Sequence, residues 1–410
     1  MIYSIIKKGK TGDSNKNQLK RLILFILTSL TVIQQMPIIK DLYYGQIRLV
    51  LYLVFSIFSV VSFLKINKFS KIYLVRGFVL TIVYTFLLYI VVKTFKRETY
   101  EILELIVPFG VLICSLNTNF NKKQLSNFLI WYVLLSLLLG ISSIFYYGQG
   151  FTITSSYFLS DKNQIGTVIG ISAIITGIWI LNKNQFHLKH NSIIIRVCIF
   201  IVLIAIILII RNRSGLLGVL VVALFAIKKE NKFNVYKNNV VFIYVILIAI
   251  VLAFLLGLFD GVIDMFFRSV FENYNISDIN SISAGRTNVY KKALGFVVNY
   301  PILGKLGTGE ADFSIPHNYI LNKWVDNGVL LTMPIIMLYL YLWYFVITEL
   351  ITSKNKFGYS LPIWILLFSL VVSTLEYTYP YGPGVSQLMV WFLLGQYFKH
   401  NNKVRNTIEE

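Results

Sequence analysis

The sequence is poor in charged residues and in cysteine. Only 14% of its 410 residues are Asp, Glu, Lys or Arg, whereas a soluble domain carries about 25%. A single water-soluble core is therefore excluded. Two cysteines are present, Cys114 and Cys198. Because both fall within apolar runs, we expect them to behave as small apolar residues rather than as disulfide partners, metal ligands or nucleophiles.

Hydrophobic residues are correspondingly abundant and make up 56% of the chain. Long apolar runs recur from Leu22 to the C-terminus. About 20 helical residues cross a hydrocarbon layer of about 30 Å, so each run predicts a membrane-spanning helix. We expect an all-α polytopic membrane protein with about 12 transmembrane helices. The predicted spans are residues 22–39, 47–66, 72–93, 102–117, 126–147, 163–181, 192–210, 214–228, 239–259, 329–350, 360–377 and 384–399.

Positive charge is in excess, and the net charge is +20. Such an excess is also typical of nucleic-acid-binding proteins. When the N-terminus is placed in the cytoplasm, however, most Lys and Arg fall on inner segments and the short outer loops carry few. This asymmetry follows the positive-inside rule. We therefore attribute the charge to membrane topology, expect both termini in the cytoplasm, and predict no nucleic-acid partner.

The predicted spans divide the chain into five parts. Residues 1–21 and 400–410 are cytoplasmic tails, residues 22–259 hold transmembrane helices 1–9, and residues 329–399 hold helices 10–12. Residues 260–328 form one long extracytoplasmic loop. Most other connections are short, and a loop of this length in a compact bundle usually has a function.

The long loop contains the pattern of an amphipathic helix. Ser283 can cap its start, and Asn299 and Pro301 end it. We expect this helix to lie along the membrane surface or over a cavity. Its apolar stripe consists of Val289, Tyr290, Ala293, Leu294 and Val297.

The centres of the predicted spans are almost free of ionisable residues. Arg76 and Arg196 lie near inner ends, whereas Glu104 and Glu376 lie near outer ends. A transporter is expected to carry such residues facing its substrate path. The distribution therefore disfavours a transporter and concentrates polar function at the outer boundary.

Cationic residues at that boundary suggest an anion site. Arg211 and Arg213 stand beside a span end, and two guanidinium groups there can bind an anion. Anchoring of a helix end in lipid headgroups explains them equally well. The long loop adds Arg286, a glycine-rich turn and the pair His317-Asn318.

These motifs resemble the O-antigen polymerase and ligase family. Its signature runs Ser-Gly-Arg, an amphipathic helix, Pro-Leu-x-Gly-x-Gly, His-Asn and a glycine at the start of a span. Upstream, RNRSGLL and DKNQIGTVIGI are similar to the family's Ser-Arg-x-x-Leu and Lys-Asn-x-x-Gly segments, so the resemblance covers residues 160–345. Asn212 departs from the usual Ser. The loop positions that match are Gly285-Arg286, Pro301-Ile302-Leu303-Gly304, His317-Asn318 and Gly328, with Lys305 and Thr308 loosening the glycine motif.

The resemblance implies a metal-independent glycosyltransferase of GT-C-like, all-helical architecture that needs no cofactor. It would work at the outer side of a bacterial cell (inner/plasma) membrane as a Wzy-type polymerase of capsular polysaccharide, exopolysaccharide or O-antigen. Its substrate would be an oligosaccharide linked to polyprenyl (undecaprenyl) pyrophosphate. The growing glycan would move onto the non-reducing end of a lipid-linked repeat unit. Partners implied are membrane lipid, a flippase and a chain-length regulator.

The motif residues fit this chemistry. Sugar transfer leaves an anionic pyrophosphate, and the sequence has no Asp-x-Asp pair to hold a metal. Arg213 and Arg286, assisted by Arg211, are the candidates to stabilise that charge. His317 is the histidine predicted outside, and an imidazole can accept the proton of an acceptor hydroxyl near neutral pH. Its structural alternative is to cap the helix that follows or to bond the glycine loop.

Further residues are assigned to substrate binding with less specificity. We expect Asn318 to orient His317 or the loop, whereas Lys162 and Asn163 either bind donor phosphate or anchor a span end. The reserve bases are Glu310, Asp312, Asp326 and Glu376. The residues assigned to substrate binding are Arg211, Lys162, Asn163, Asn318, Gly304, Gly307 and Glu310.

Three rival functions stay open at this point. A ligase of the same family would use the same donor and loop with a different acceptor, and the motifs do not separate it from a polymerase. A lipid-linked oligosaccharide flippase or another transporter also has about a dozen spans and handles the same substrates. A non-catalytic scaffold is disfavoured by the clustered outer Arg and His.

Overall fold

The computed structural model describes residues 15–63, 72–91, 100–147, 156–181, 193–210, 212–230, 286–308, 316–352, 361–377 and 385–409. Within these ranges all regular structure is helical, so the predicted all-α class is confirmed for them. The helices in chain order are α1 (Asn15–Ile33), α2 (Pro37–Phe63), α3 (Tyr73–Val91), α4 (Tyr100–Asn117), α5 (Lys122–Tyr147), α6 (Ser156–Leu181), α7 (Ile193–Ile209), α8 (Arg213–Glu230), α9 (Arg286–Asn299), α10 (Lys305–Thr308), α11 (Tyr319–Thr352), α12 (Leu361–Ser373) and α13 (Val385–Glu409).

Several of these helices can cross a membrane. Lys122–Tyr147, Asn163–Leu181 and Tyr319–Ile351 are long and apolar enough, and a fourth span results if Asn17–Ile33 and Pro37–Tyr43 are joined across a bend of 101°. Three or four candidate spans are therefore present in the described ranges, fewer than the 12 predicted. The other apolar helices have 10–17 residues and fall short of one straight crossing. The predicted span 239–259 lies outside the described residues.

The first predicted span, 22–39, is wrong as a continuous helix. Helix α1 ends at Ile33 and α2 begins at Pro37, with a bend of 101° between them. Proline lacks an N–H and disfavours helical geometry in the residue before it, so the helix is interrupted within the predicted span. Gln34 and Gln35 in the break are buried.

Helix α12 lies at the centre of the bundle. All of its residues except Val371 are buried, which is the pattern of a helix that is apolar on every side and packed all round. Around it, Trp391 meets Phe78 edge-on at 5.0 Å between ring centroids, and Phe128 stacks on Phe392 at 4.7 Å. The turn at residues 374–376 therefore directly follows a helix that is packed on nearly every side.

Polar residues gather at two separate ends of the bundle. At one end Arg21 donates to the Asn119 carbonyl at 3.1 Å, and Gln396 donates to the Ser115 carbonyl at 2.7 Å; the predicted topology places these residues on the inner side. The residues predicted at outer span ends meet around Glu376 instead, at the C-terminal turn of α12.

Helix α11 is sharply bent at Gly328. The glycine has φ 65° and ψ 178°, outside helical geometry. The Thr332 hydroxyl donates to the Lys323 carbonyl at 2.9 Å, although nine residues of a straight helix rise about 13.5 Å. The segment 319–327 therefore folds against the start of the apolar segment 329–352, and His317 and Asn318 directly precede it.

Candidate functional site

The turn at residues 374–376, which follows α12, receives side chains from four parts of the chain. A helix leaves its last carbonyl groups without intrahelical partners. Asn318 donates to the Thr374 carbonyl at 3.3 Å, and Arg286 donates to the Leu375 carbonyl at 3.2 Å. Glu376 is the last residue of the turn, and its side chain is bound by other helices. The 374–376 turn thereby joins residues of the long loop to the helical bundle.

Glu376 is a buried carboxylate held by two neighbouring helices. It is 4% exposed, and a charged group at such a position requires hydrogen-bond donors. Its Oε2 atom accepts from the Asn163 amide at 2.9 Å, and its Oε1 atom accepts from the Ser214 hydroxyl at 2.9 Å. Asn163 belongs to α6 and Ser214 to the first turn of α8. The carboxylate therefore has a fixed position and orientation.

His317 faces this carboxylate. Its Nδ1 atom lies 4.0 Å from Glu376 Oε2, a distance longer than a hydrogen bond but short enough to close by a small rotation of the ring. The Nδ1 atom is buried and has no hydrogen-bond partner among the described residues, while the side chain as a whole is 37% exposed. One edge of the imidazole thus points at Glu376 and the rest of the ring reaches the accessible side.

Tyr290 holds the backbone of His317. Its hydroxyl donates to the His317 carbonyl at 2.7 Å. Burial raises the pKa of the Tyr290 phenol, the Glu376 charge raises this pKa further, and Arg286 opposes the rise. The phenol therefore stays protonated, and remains a donor, through neutral pH. Tyr290 therefore fixes the backbone at His317 through a neutral hydrogen-bond donor.

Arg286 begins helix α9 and reaches the end of α12. A cation is favourable at a helix C-terminus because the exposed carbonyl groups carry partial negative charge. A guanidinium has five N–H donors in a planar fork, so its bond to Leu375 is compatible with binding an anion through other donors. Arg286, which is predicted to stabilise the charge of the leaving pyrophosphate, thus contacts the turn that contains Glu376.

Asn318 caps α11. Its side-chain oxygen accepts from the Leu321 N–H at 3.0 Å, as an N-cap residue does. The alternative role considered for His317, capping the following helix, is therefore taken by its neighbour. Because Asn318 also bonds the Thr374 carbonyl, it fixes the start of α11 against the 374–376 turn. The expected role of Asn318 in orienting His317 or the loop stays a prediction.

Asn212 is buried between α6 and α8. It is 1% exposed, and its side-chain oxygen accepts the N–H of Gly215, which makes it the N-cap of α8. Its amide donates to the Asn163 side chain at 3.3 Å. A Cβ at Gly166 would lie 2.3 Å from Asn212, so the glycine permits this close packing. Asn212 thereby supports the residue that binds Glu376.

The predicted guanidinium pair is only partly described. Arg213 is exposed as the first residue of α8, directly before Ser214, so it stands at the rim of the site. Arg211, Glu310 and Asp312 lie outside the described residues. Lys162 lies in α6, and its side chain is outside the part of the structure that is described.

The glycine motif forms a joint between α9 and α11. Gly304 has φ 56° and Gly328 has φ 65°, and a Cβ on Gly328 would lie 2.1 Å from the Ile302 carbonyl oxygen. The Val329 N–H donates to the Pro301 carbonyl at 2.8 Å. Glycine at 304 and 328 is thus explained by backbone packing, which differs from the substrate-binding assignment made for Gly304 from the sequence.

Two further residues assigned from the sequence lie near this joint, and only Asp326 links its helices. Gly307 is exposed in the short helix α10, and a Cβ there would make only an ordinary contact with Leu303. The reserve base Asp326 lies 3.2 Å from the Lys305 ammonium group. This ion pair links α10 to α11, so Asp326 has a structural partner.

Sequence reasoning underestimated part of the site. Glu376 was only a reserve base, although it is a lone carboxylate at the end of a predicted span, and this signal favours a special role. Ser214 and Asn212 were not selected, and neither has a local pattern that predicts a partner 162 or 49 positions away. In the described ranges, no three His, Cys, Asp or Glu side chains lie together as a group that could hold a metal ion.

No protein-family model matches the chain, and no curated protein shows significant sequence similarity to it.

Proposed function

We propose that this protein is a polymerase of a surface polysaccharide. It transfers a growing glycan from polyprenyl pyrophosphate to the non-reducing end of a lipid-linked repeat unit. The observation that carries the proposal is the convergence of His317, Arg286 and Glu376 at one end of a helical bundle. A base, a cation and an orienting carboxylate are the groups that such a transfer needs in the absence of a protein-bound metal.

The membrane arrangement is part of the proposal. The chain crosses a bacterial cell membrane about 12 times with both termini in the cytoplasm, in a GT-C-like architecture, and residues 260–328 face outward. The excess of Lys and Arg on the inner segments supports this topology. The separation of the polar ends supports it too, since Arg21 and Gln396 gather at the end opposite Glu376.

The chemical step is a displacement at the anomeric carbon of the donor sugar. The acceptor hydroxyl oxygen forms a bond to that carbon, and the bond from the carbon to the pyrophosphate oxygen breaks with both electrons leaving on the pyrophosphate. The proton of the hydroxyl passes to His317. Arg286 and Arg213, assisted by Arg211, stabilise the charge that develops on the leaving group.

Glu376 acts as a positioning residue for His317. A carboxylate facing Nδ1 favours the tautomer with the proton on that atom, which leaves Nε2 as the base. The distance of 4.0 Å is long for this contact, but catalytic hydrogen bonds are often long before substrate binds. Asn163 and Ser214 fix the carboxylate, so we assign Asn163 to positioning rather than to donor phosphate.

A ligase of the same family would use the same site with another acceptor. The geometry around His317 does not depend on the acceptor, so the polymer formed has to decide between the two. A flippase needs a substrate path through the bundle, whereas α12 fills the centre with buried apolar side chains. This packing favours the enzyme over the transporter.

Complementation of a deletion strain tests the proposal. In cells that lack the gene, single-unit lipid-linked intermediates should accumulate and long polymer should be lost, while single repeats still reach the surface. Wild-type protein and His400→Gln should restore long polymer, and His317→Gln should not at equal protein level. Repeats that stay inside the deletion strain would instead indicate a flippase, and long polymer made by His317→Gln would rule out the catalytic role.

A further inference from the structure

Helix α9 has an exposed apolar row that its packing does not explain. Its inner face is occupied, because Ala293 and Val297 are buried against Val325 of α11. On another face, however, Leu294 is 55% exposed and Val298 is 76% exposed. Residues four positions apart lie one above the other on a helix, so these two side chains form a continuous row.

The exposed surface of α9 is divided into an apolar and a polar side. With 3.6 residues per turn, Lys291 lies in the same row as the two exposed apolar side chains, three residues before Leu294. Asn288, Lys292 and Asn299 lie together in a second row, displaced by about 120°. A helix surrounded by water on its exposed side has no need of this division.

Beyond the end of α9, an exposed apolar side chain in the following turn lies next to the exposed apolar stripe of a candidate span. Ile302, four residues after Val298, is 62% exposed, and its carbonyl accepts the Leu330 N–H at 3.3 Å. From that point the apolar segment of α11 carries a stripe of exposed side chains at helical spacing. The stripe consists of Leu330, Met333, Met337, Leu340, Tyr344, Ile347 and Ile351.

We propose that α9 is an interfacial helix that inserts its apolar row into the leaflet on the side of the candidate site. The occupant is phospholipid: acyl chains contact Leu294, Val298 and Ile302, and the ammonium group of Lys291 extends to lipid phosphate. A lysine stem can lie along apolar surface while its charge reaches the headgroups. An apolar face bordered by lysine is the pattern of helices that lie in a membrane interface.

Insertion of α9 fixes the depth of the candidate site. From this helix Arg286 reaches the 374–376 turn and Tyr290 reaches the His317 carbonyl, so the position of α9 in the leaflet sets the distance of both side chains from the bilayer surface. The inference depends on membrane embedding and not on the reaction proposed above. It therefore stands or falls separately from the polymerase.

Spin labels at neighbouring positions test the proposal. In protein whose native Cys114 and Cys198 are replaced by alanine, Val298→Cys and Asn299→Cys are labelled separately and reconstituted in vesicles of phosphatidylethanolamine and phosphatidylglycerol. The two positions adjoin in sequence but lie on different rows. We expect the label at 298 to collide more with oxygen, which partitions into lipid, and the label at 299 to collide more with a water-soluble nickel complex.

The outcomes are distinct. Equal accessibility of both labels to the nickel complex would overturn the proposal, because α9 would then be surrounded by water. Low accessibility of the label at 298 to both reagents would also overturn it, since a protein would cover the row. The Lys291→Gln variant, with the label at 298, should show a smaller oxygen effect in vesicles rich in phosphatidylglycerol, and an unchanged effect would overturn the assignment of Lys291.

Discussion

The Nδ1 atom of His317 lies 4.0 Å from the Oε2 atom of Glu376, which is itself held by Asn163 and Ser214. The imidazole comes from the long loop and the carboxylate from the end of the central helix. Their approach joins the part of the chain that matches the loop motif to the part that forms the bundle. The proposed chemistry depends on this approach, because the carboxylate positions the imidazole that accepts the proton.

Glu376→Gln should strongly impair polymerisation. The substitution preserves size but removes the charge that favours the Nδ1–H tautomer of His317, and loss of a positioned base costs about 10²- to 10⁴-fold in rate. Turnover of lipid-linked repeat units in isolated membranes measures the effect. Because the residue positions another group, we expect the rate to fall while the donor concentration at half-maximal rate changes little. An unchanged rate would remove Glu376 from the proposed mechanism.

Arg286→Lys and Arg213→Lys should each slow transfer by about 10²- to 10³-fold if the guanidinium groups stabilise the leaving pyrophosphate. Lysine retains the charge but loses the planar pair of donors that matches phosphate. Arg48→Lys is the matched control, because Arg48 is bonded to Tyr52 within its own helix. If both site variants elongate chains at the wild-type rate in a membrane assay, these guanidinium groups do not stabilise the leaving pyrophosphate.

Gly328→Ala should destabilise the fold, whereas Gly295→Ala should not. Gly328 has φ 65°, and a Cβ there would lie 2.1 Å from the Ile302 carbonyl, so alanine forces the joint apart at a cost of about 1–3 kcal/mol or more. At Gly295, in exposed helix α9, a Cβ meets nothing within 4 Å, and alanine should stabilise by about 0.5–1 kcal/mol. Thermal unfolding of the purified variants in detergent compares them. Equal melting temperatures would contradict the role of the joint.

The positions of most helices could be predicted because continuous apolar runs report burial or lipid contact directly. The break at Gln34 and Gln35 was missed, because hydropathy averaged over a long window passes over two glutamines and takes no account of the missing N–H of Pro37. The motif identified the catalytic candidates on the loop, whereas only the structure revealed the residues that contact them. Asn163 and Glu376 are 213 positions apart, and no local pattern encodes such a contact. The motif pointed to Gly304 and assigned it to substrate binding, whereas the structure accounts for this glycine by its φ of 56° and its close backbone packing.

The hydrogen bond from Tyr290 to His317 should be insensitive to pH up to about pH 10. The pKa of this phenol is raised from its ordinary value of 10.0, mainly by burial, so the folded protein retains the proton after the unfolded chain has lost it. The contribution of Tyr290 to stability is therefore complete below pH 10 and declines as the pH rises beyond it. Comparison with Tyr290→Phe should show a constant stability difference from about pH 6 to pH 9 and a smaller one above pH 10. A difference that varies below pH 9 would contradict this assignment.

The candidate site must face the exterior for the proposed reaction to occur, because lipid-linked repeat units are joined there. Thr287 is exposed beside Arg286, and Asn119 is exposed at the opposite end of the bundle, next to the carbonyl contact with Arg21. In protein whose native cysteines are replaced by alanine, Thr287→Cys should react with a membrane-impermeant maleimide in intact cells, and Asn119→Cys only after permeabilisation. The reverse pattern would place Arg286 and His317 in the cytoplasm. The distribution of Lys and Arg would then violate the positive-inside rule. The polymerase proposal would have to be abandoned, although the geometry of the site would be unchanged.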